Sequence, residues 1–163
     1  MSVEQQTHED ELSSGIQSKE FLTIMIANQR FGIPILQVED VLGEQTITKV
    51  PLAPPDVAGS LNLRGRIVTA IDVHCRLGIE PTQTSNGHSS MGVVVEHENE
   101  LYSLIIDKVG DVLKLKDEDF ETTLATLDPL WKDVSSGIYR LDGELLIVLD
   151  VPKFLSTISS SKD

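Results

Sequence analysis

The chain has 163 residues and a formal net charge of −13 at pH 7. This charge argues against nucleic acid or an anionic membrane as partner, because both would repel the protein. Forty per cent of the residues are apolar and only 4% are aromatic, so a globular core must be built mainly from Val, Ile and Leu.

The first 19 residues are acidic and polar, and we expect them to form a disordered tail. They lack the basic and apolar regions of a signal peptide. No apolar run approaches the roughly 20 residues that cross a bilayer. The sequence therefore predicts a cytoplasmic protein without direct membrane insertion.

From Glu20 the run EFLTIMIANQRFGIPIL predicts a β-hairpin that turns near residues 28–30. The run MGVVVEHENELYSLII predicts a second hairpin that turns near residues 98–100. Each is followed by a short segment, QVEDVL or KVGDVL, and then by a stretch typical of a strand, TITKVP or VLKLK.

A further hairpin follows in each half, VAGSLNLRGRIVTAID and VSSGIYRLDGELLIVLD. Asp142-Gly143 is a strong signal for a two-residue turn, because both residue types tolerate the positive φ that this turn requires. Arg64-Gly65 takes the equivalent place with a less favoured first residue.

Asp72 and Asp150 each precede an apolar segment, and we expect each to cap a helix N-terminus, with Pro152 in a first turn. Residues 79–90 are rich in polar residues, Gly and Pro, as in a linker. The segment DEDFETTLATLDPLW has a helical pattern but could be irregular, and residues 159–163 are predicted to be disordered.

The chain contains one pattern twice. The identities include Val38, Asp40, Val41 and Leu42 in the first copy, which match Val109, Asp111, Val112 and Leu113. The matching blocks are FGIPILQVEDVL with YSLIIDKVGDVL, and GSLNLRGRIVTAIDVHCRL with GIYRLDGELLIVLDVPKFL. Chance likeness between short β-rich segments is the alternative, but an ordered set of identities favours a duplicated unit.

The two copies span about residues 20–78 and 91–158, and the second holds an insertion between Leu113 and Gly137. About five short strands in each copy predict two small antiparallel β-barrels. A barrel of about 60 residues is marginal alone, so we expect the barrels to bury a common apolar face.

A catalytic site is not evident. Cys75 is the only cysteine, so no intramolecular disulfide can form. It lies between His74 and Arg76, but adjacent side chains point in different directions, which favours a structural cysteine over a nucleophile. A hydrolase centred on Cys75 remains an alternative. No phosphate loop or metal-ligand spacing occurs, so neither a metal nor a cofactor is expected.

The repeated acids Asp40/Asp111 and Asp72/Asp150 could be paired catalytic carboxylates, but their recurrence in both copies favours caps and turns. The two copies differ in charge at one hairpin tip, which is basic in the first copy and acidic in the second. The charged residues there are Arg64, Arg66, Asp142 and Glu144. They are either ordinary solvated charge or a contact site.

The run from Val50-Pro51 through Gly59 and Asn62-Leu63-Arg64-Gly65 to Ile71-Asp72 resembles the CheW-like adaptor family of bacterial chemotaxis. The resemblance extends over residues 20 to about 158. It implies an all-β fold of two pseudo-symmetric, interlocked, SH3-like five-stranded β-barrels with a shared apolar interface and short helices.

The resemblance also implies a non-enzymatic scaffold that couples the cytoplasmic tips of methyl-accepting chemoreceptors to the regulatory domain of a CheA-type histidine kinase. Receptor binding is expected at Val38, Asp40, Gly59 and Arg64, and kinase binding at the barrel ends. The candidate kinase or array contacts are Arg66, Asp142 and Glu144. Thr69 and the pair His74-Cys75 depart from the family pattern. A small-ligand-binding β-barrel protein that uses the groove between the barrels is the alternative function.

Overall fold

The computed structural model describes residues 17–44, 46–79, 91–122 and 127–160. Most of the predicted tail and linker, and residues 161–163, lie outside this part. The first strand begins inside the predicted tail at Ser18, where it already pairs with Lys116. The last helix reaches Ser160, inside the segment predicted to be disordered.

Eleven strands and three helices form the described part of the chain. The strands are β1 (Ser18–Ile26), β2 (Gln29–Pro34), β3 (Val38–Leu42), β4 (Val57–Leu63), β5 (Arg66–Asp72), β6 (Met91–His97), β7 (Glu100–Ile106), β8 (Lys108–Lys116), β9 (Phe120–Glu121), β10 (Ser135–Leu141) and β11 (Glu144–Leu149). The helices are α1 (Val73–Arg76), α2 (Pro129–Val134) and α3 (Val151–Ser160). Single 3-10 turns occupy Ile35–Gln37 and Asp117–Asp119.

The two copies exchange their first hairpins. The six-stranded sheet has the order β8-β1-β2-β11-β10-β9, and the five-stranded sheet has the order β3-β6-β7-β5-β4. The first copy's hairpin β1–β2 therefore lies in the sheet built mainly by the second copy, and β6–β7 lies in the other. The exchanged hairpins join through parallel pairs, β2 with β11 and β5 with β7. The prediction of wholly antiparallel barrels was wrong at these two junctions.

The central strands of each sheet are buried on both faces, which explains the apolar runs in the sequence. In β11, Ile147 and Leu149 face the shared core between the sheets, while Leu146 and Val148 face a separate cluster. The shared core takes residues from both copies, so the predicted apolar interface is confirmed. The outer cluster of the five-stranded sheet comprises Leu61, Val68, Ala70, Val94 and Leu101, and that of the six-stranded sheet comprises Phe21, Tyr139, Leu146 and Val148.

The stretch TITKVP does not form the predicted strand. It contributes one isolated bridge, in which Thr48 and Ser60 exchange two backbone hydrogen bonds of 2.8 Å. Pro51 cannot donate to a ladder, and Leu52 has a φ of 64°, so pairing ends there. Among the described strands, β3 does not pair with β4, nor β8 with β9. The structure thus shows two sheets, and closure of each into a barrel stays a prediction.

The four predicted hairpins all form, with turns at 27–28, 64–65, 98–99 and 142–143. At two of these turns, the first residue does not adopt the φ that its residue type favours. Arg64 takes a φ of 51°, whereas Asp142 is not among the described non-glycine residues with a positive φ. The expectation for Asp142 was therefore wrong, because Gly143 alone, with a φ of 81°, supplies the left-handed conformation in that turn.

The predicted caps are present. The Asp72 carboxylate accepts a hydrogen bond from the backbone N–H of Cys75 at 3.2 Å, and that of Asp150 accepts from Lys153 at 3.0 Å. Pro152 lies in the first turn of α3. The insertion in the second copy is a mixture of a 3-10 turn, the short strand β9 and the helix α2, so its helical pattern was only partly correct.

Candidate protein-interaction surfaces

Asp40 and Arg64, two predicted receptor-binding residues, form an ion pair. Nη2 of Arg64 lies 3.1 Å from Oδ2 of Asp40, and the Arg64 side chain is 77% exposed. Asp40 belongs to β3, one edge of the five-stranded sheet, while Arg64 follows β4, the other edge. The ion pair therefore shows that the sheet bends enough to bring its two edges together. Because the Arg64 side chain is exposed, this pair stabilises the fold by about 1 kcal/mol at most, so a partner can compete for the Arg64 charge.

Apolar surface adjoins this ion pair. Val38 is half-buried, opposite Val95 of β6, and packs at the margin of the shared core. A register shift lies between Val38 and Asp40, and Val41 next to it is 38% exposed. The region thus offers aliphatic area beside a charged rim, a composition typical of protein interfaces.

Gly59 is buried, unlike the other three predicted receptor residues. A Cβ at this position would collide with the carbonyl oxygen of Thr48 and lie 2.7 Å from Ile47, and its φ is 154°. Glycine is therefore needed for the close backbone approach at the Thr48–Ser60 bridge. This geometry shows that Gly59 has a structural role at the bridge, and its role in receptor binding stays a prediction.

Gly137 is the equivalent of Gly59 in the second copy, and glycine is needed there for a similar reason. A Cβ there would collide with the Phe120 ring and lie 2.5 Å from the carbonyl oxygen of Glu121. Glu121 pairs with Ile138, which aligns with Ser60 in the duplicated pattern. The repeated glycine thus serves the same backbone contact in both sheets.

The oppositely charged tips lie on different sheets. Arg66 is exposed at the β4–β5 tip and is followed by Ile67, which is 69% exposed. At the β10–β11 tip, Asp142 and Glu144 are exposed, but Oε2 of Glu144 lies 3.5 Å from Nη2 of Arg30. Glu144 is thus partly neutralised within the chain, whereas the sequence suggested two equivalent acidic charges.

Sequence reasoning missed a cavity of about 1070 Å³ at one end of the six-stranded sheet. Phe21, Phe120 and Tyr139 line it, and Leu36 at its margin is 94% exposed. Burial, together with the charges of Asp117 and Asp119, raises the pKa of Tyr139 above its usual value. The only sequence signal is that Leu36 aligns with Asp107, so an apolar side chain occupies a position that is charged in the other copy.

One known protein family matches this chain over most of its length. The family model described as CheW-like domain matches residues 20–159, which include both copies and both candidate surfaces. The chain belongs to the CheW-like family.

Among curated relatives, chemotaxis protein CheW of Klebsiella aerogenes is 30% identical over 145 residues, spanning 85% of this chain and 82% of that protein. Chemotaxis protein CheW of Thermotoga maritima is 27% identical over 149 residues, spanning 91% and 95%. The crystal structure of the scaffolding protein TtCheW from Thermoanaerobacter tengcongensis has a TM-score of 0.76 and 26% identity, covering 85% of this chain and 92% of that one.

Cys75 of this CheW-like chain lacks the environment of a nucleophile. Its thiol donates a hydrogen bond to Oδ1 of Asp56 at 3.1 Å. Partial burial, this hydrogen bond, and the negative charges of Asp56 and Asp72 raise the pKa of Cys75 to about 11. Neighbouring His74 contacts the Asp107 carboxylate at 3.2 Å. A raised pKa makes the thiolate scarcer, which disfavours the hydrolase alternative.

The ligand-binding alternative gains no support in the described part of this CheW-like chain. The cavity lies at the end of one sheet, whereas the ligand-binding alternative placed its pocket in the groove between the barrels. Within the described ranges, no three His, Cys, Asp or Glu residues are grouped as metal ligands. No helix in those ranges is long and apolar enough to span a membrane.

Proposed function

We propose that this chain is a non-enzymatic scaffold that couples the cytoplasmic tips of chemoreceptors to the regulatory domain of a CheA-type histidine kinase. The match to the CheW-like family over residues 20–159 supports this function, as do relatives named chemotaxis protein CheW. The main observation behind the proposal is the contact between Asp40 and Arg64. These two predicted receptor residues are far apart in the sequence, but they meet on the strand that also carries Val38.

The receptor tip binds at this surface in the proposal. The Arg64 guanidinium is exposed and planar, so it can turn from Asp40 to a receptor carboxylate and bind it through two hydrogen bonds. Val38 and Val41 supply apolar area on the same strand. Gly59 keeps the Thr48 segment close to β4, so that the surface retains its shape.

The kinase, or a second adaptor module in an array, binds at the hairpin tips in the proposal. Arg66 at one tip and Asp142 and Glu144 at the other provide opposite charges on different sheets. A contact between unlike tips is head-to-tail, and such contacts can close into rings. Complementary charge sets the register of this contact more than its affinity. Binding through Glu144 requires the loss of its contact with Arg30.

In this proposal the protein acts in the cytoplasm and is recruited to membrane receptor arrays by the receptor itself. No cofactor takes part. Its contribution to signalling is therefore positional, since it holds the receptor tip and the kinase in one assembly.

The test is binding of the purified chain to an immobilised receptor tip and, separately, to a CheA regulatory domain. Arg64→Ala should weaken receptor binding about tenfold, since a central interface arginine contributes 1 to 2 kcal/mol or more. Val38→Asp should weaken it further, because it places a charge on the apolar part of the surface. Both variants should retain the kinase domain.

Arg140→Ala is the matched control. Arg140 is an exposed arginine whose Nε lies 2.8 Å from Oε2 of Glu121, but it belongs to the six-stranded sheet. Its substitution should leave receptor binding unchanged. A wild-type chain that retains neither partner would contradict the proposed function, and equal losses in Arg64→Ala and Arg140→Ala would contradict the receptor site.

A further inference from the structure

The β4–β5 turn presents Arg64 from an unusual backbone conformation. Arg64 has a φ of 51°, and the following Gly65 has a φ of 85°. Positive φ at both central residues is the pattern of a type I′ turn. Glycine adopts this conformation freely, whereas a residue with a Cβ is disfavoured in it. The turn therefore depends on contacts other than the preference of Arg64 itself.

Asn62 supplies such a contact. Its side-chain Oδ1 accepts a hydrogen bond of 2.9 Å from the backbone N–H of Gly65. Asn62 is an exposed residue of β4, while Gly65 lies outside both strands at the tip of the turn. Asparagine side chains commonly stabilise tight turns by bonding a nearby backbone group in this way. The hydrogen bond thus connects the backbone on the two sides of Arg64.

The second copy has a different arrangement at its equivalent turn. Asn62 aligns with Arg140, whose Nε lies 2.8 Å from Oε2 of Glu121. Arg64 aligns with Asp142, which is not among the described non-glycine residues with a positive φ. The asparagine and the positive φ therefore occur together, in the copy that carries the predicted receptor residues.

The partner of Arg64 in the ion pair is also held in place. Oδ1 of Asp40 accepts a hydrogen bond of 2.8 Å from the backbone N–H of Val41, and Oδ2 lies 3.1 Å from Nη2 of Arg64. The Asp40 side chain is only 25% exposed, whereas that of Arg64 is 77% exposed. Since Asp40 is fixed, the conformation of the β4–β5 turn decides whether the guanidinium reaches it.

We propose that Asn62 is a positioning residue of the receptor site. Its hydrogen bond with Gly65 keeps Arg64 in the left-handed conformation, from which the guanidinium reaches Asp40 beside Val38. Asn62 does not itself need to contact the receptor. This role rests on the proposed function, and Asn62 prepares the site before the receptor binds. Binding is tighter when the free chain already has the conformation of the bound one.

The first measurement concerns the turn in the free chain. In the wild type, Arg64 should give a strong nuclear Overhauser effect between its amide and α protons, which is the signature of a positive φ. Asn62→Ala should weaken this effect, because the turn loses its side-chain hydrogen bond. Asn62→Ser should largely retain it, since the serine hydroxyl is a neutral acceptor for the same N–H. An equally strong effect in Asn62→Ala would overturn the proposal.

The second measurement is binding to an immobilised receptor tip. Asn62→Ala should weaken it about threefold to tenfold, since only the fraction of molecules with the correct turn binds. Asn62→Ser should regain most of this loss. Arg140→Ala, the change at the equivalent position of the second copy, should leave receptor binding unchanged. All three variants should retain the kinase regulatory domain.

A double substitution separates positioning from a general loss of stability. In an Arg64→Ala background, Asn62→Ala should weaken receptor binding by less than about twofold more, because the side chain that it positions is absent. Equal losses in the two backgrounds would overturn the proposal, as would equal binding by the wild type and Asn62→Ala. A wild type that fails to bind the receptor tip would instead contradict the proposed function, and with it the site that Asn62 serves.

Discussion

Nε2 of His74 lies 3.2 Å from Oδ1 of Asp107, and Oδ2 of the same carboxylate accepts a hydrogen bond from the backbone N–H of Ala27 at 2.8 Å. Asp107 is the residue at which the chain passes from β7 in the five-stranded sheet to β8 in the six-stranded sheet. His74 belongs to α1 and Ala27 to the turn of the exchanged hairpin β1–β2. One side chain therefore connects three parts of the fold that are far apart in sequence.

Asp107→Ala should lower the free energy of unfolding by about 1 to 2 kcal/mol, because the N–H of Ala27 loses its acceptor and His74 loses its partner. Asp107→Asn should cost less, since its amide oxygen can still accept from Ala27. Chemical denaturation followed by circular dichroism measures both. Asp111→Ala is the control, because that carboxyl is exposed, and its effect should be close to zero. Equal stability of Asp107→Ala and Asp111→Ala would show that this connection does not stabilise the fold.

The local part of the fold could be predicted from the sequence, whereas the exchange of hairpins could not. Turns and caps depend on a few neighbouring residues, such as Asp72 with Cys75 and Asp150 with Lys153. The hairpins β1–β2 and β6–β7 both carry apolar runs, so the pattern alone does not assign either hairpin to one sheet. Only long-range contacts decide between these arrangements, and the sequence pattern does not contain them.

Gly59→Ala and Gly137→Ala should each destabilise the protein by about 2 kcal/mol or more, because the new methyl group meets fixed backbone atoms. Gly59 carries the additional strain of its φ of 154°. Thermal unfolding is the measurement. Gly43→Ala is the control, because no atom of the described residues beyond its two chain neighbours lies within 4 Å of a Cβ built there, and it should be nearly neutral.

Any loss of receptor binding in Gly59→Ala should accompany this loss of stability, since the glycine itself is buried. Binding can be measured at a temperature at which the variant is still folded. A folded, fully stable Gly59→Ala that fails to bind would show instead that the receptor contacts this position directly.

Cys75 should react slowly with alkylating reagents. Its pKa of about 11, against the ordinary 9.0, leaves the thiolate about a hundredfold scarcer at neutral pH. The reaction rate with iodoacetamide should therefore keep rising with pH beyond 9 and level off only near pH 11. Asp56→Asn should raise the rate at pH 8, because it removes one negative charge and weakens the hydrogen bond that holds the proton. A rate that levels off below pH 9 in the wild type would contradict this assignment.

The candidate receptor site was predicted as a set of residues, but its geometry was not. Opposite charge at Asp40 and Arg64 was visible in the sequence, yet their contact depends on the bending of the sheet that brings β3 to the β4–β5 turn. Gly59 was grouped with them by resemblance alone, and the structure shows that it is buried. The cavity was missed entirely because Phe21 belongs to β1, which joins the strands of Phe120 and Tyr139 only through the exchanged hairpin.

Charge reversal at Arg66 tests the role of the hairpin tips. Arg66→Glu should weaken binding to the kinase regulatory domain and reduce array formation, because it removes the net positive charge of the first tip, whereas Arg66→Gln should have a smaller effect. The difference between the two variants should shrink at high salt, since Arg66 is exposed and its field is screened. Arg30→Gln provides a second comparison. It frees Glu144 from its contact at 3.5 Å and should strengthen binding if the tip carboxylates engage a basic partner. Identical binding by wild type, Arg66→Glu and Arg66→Gln would exclude an electrostatic contact at this tip.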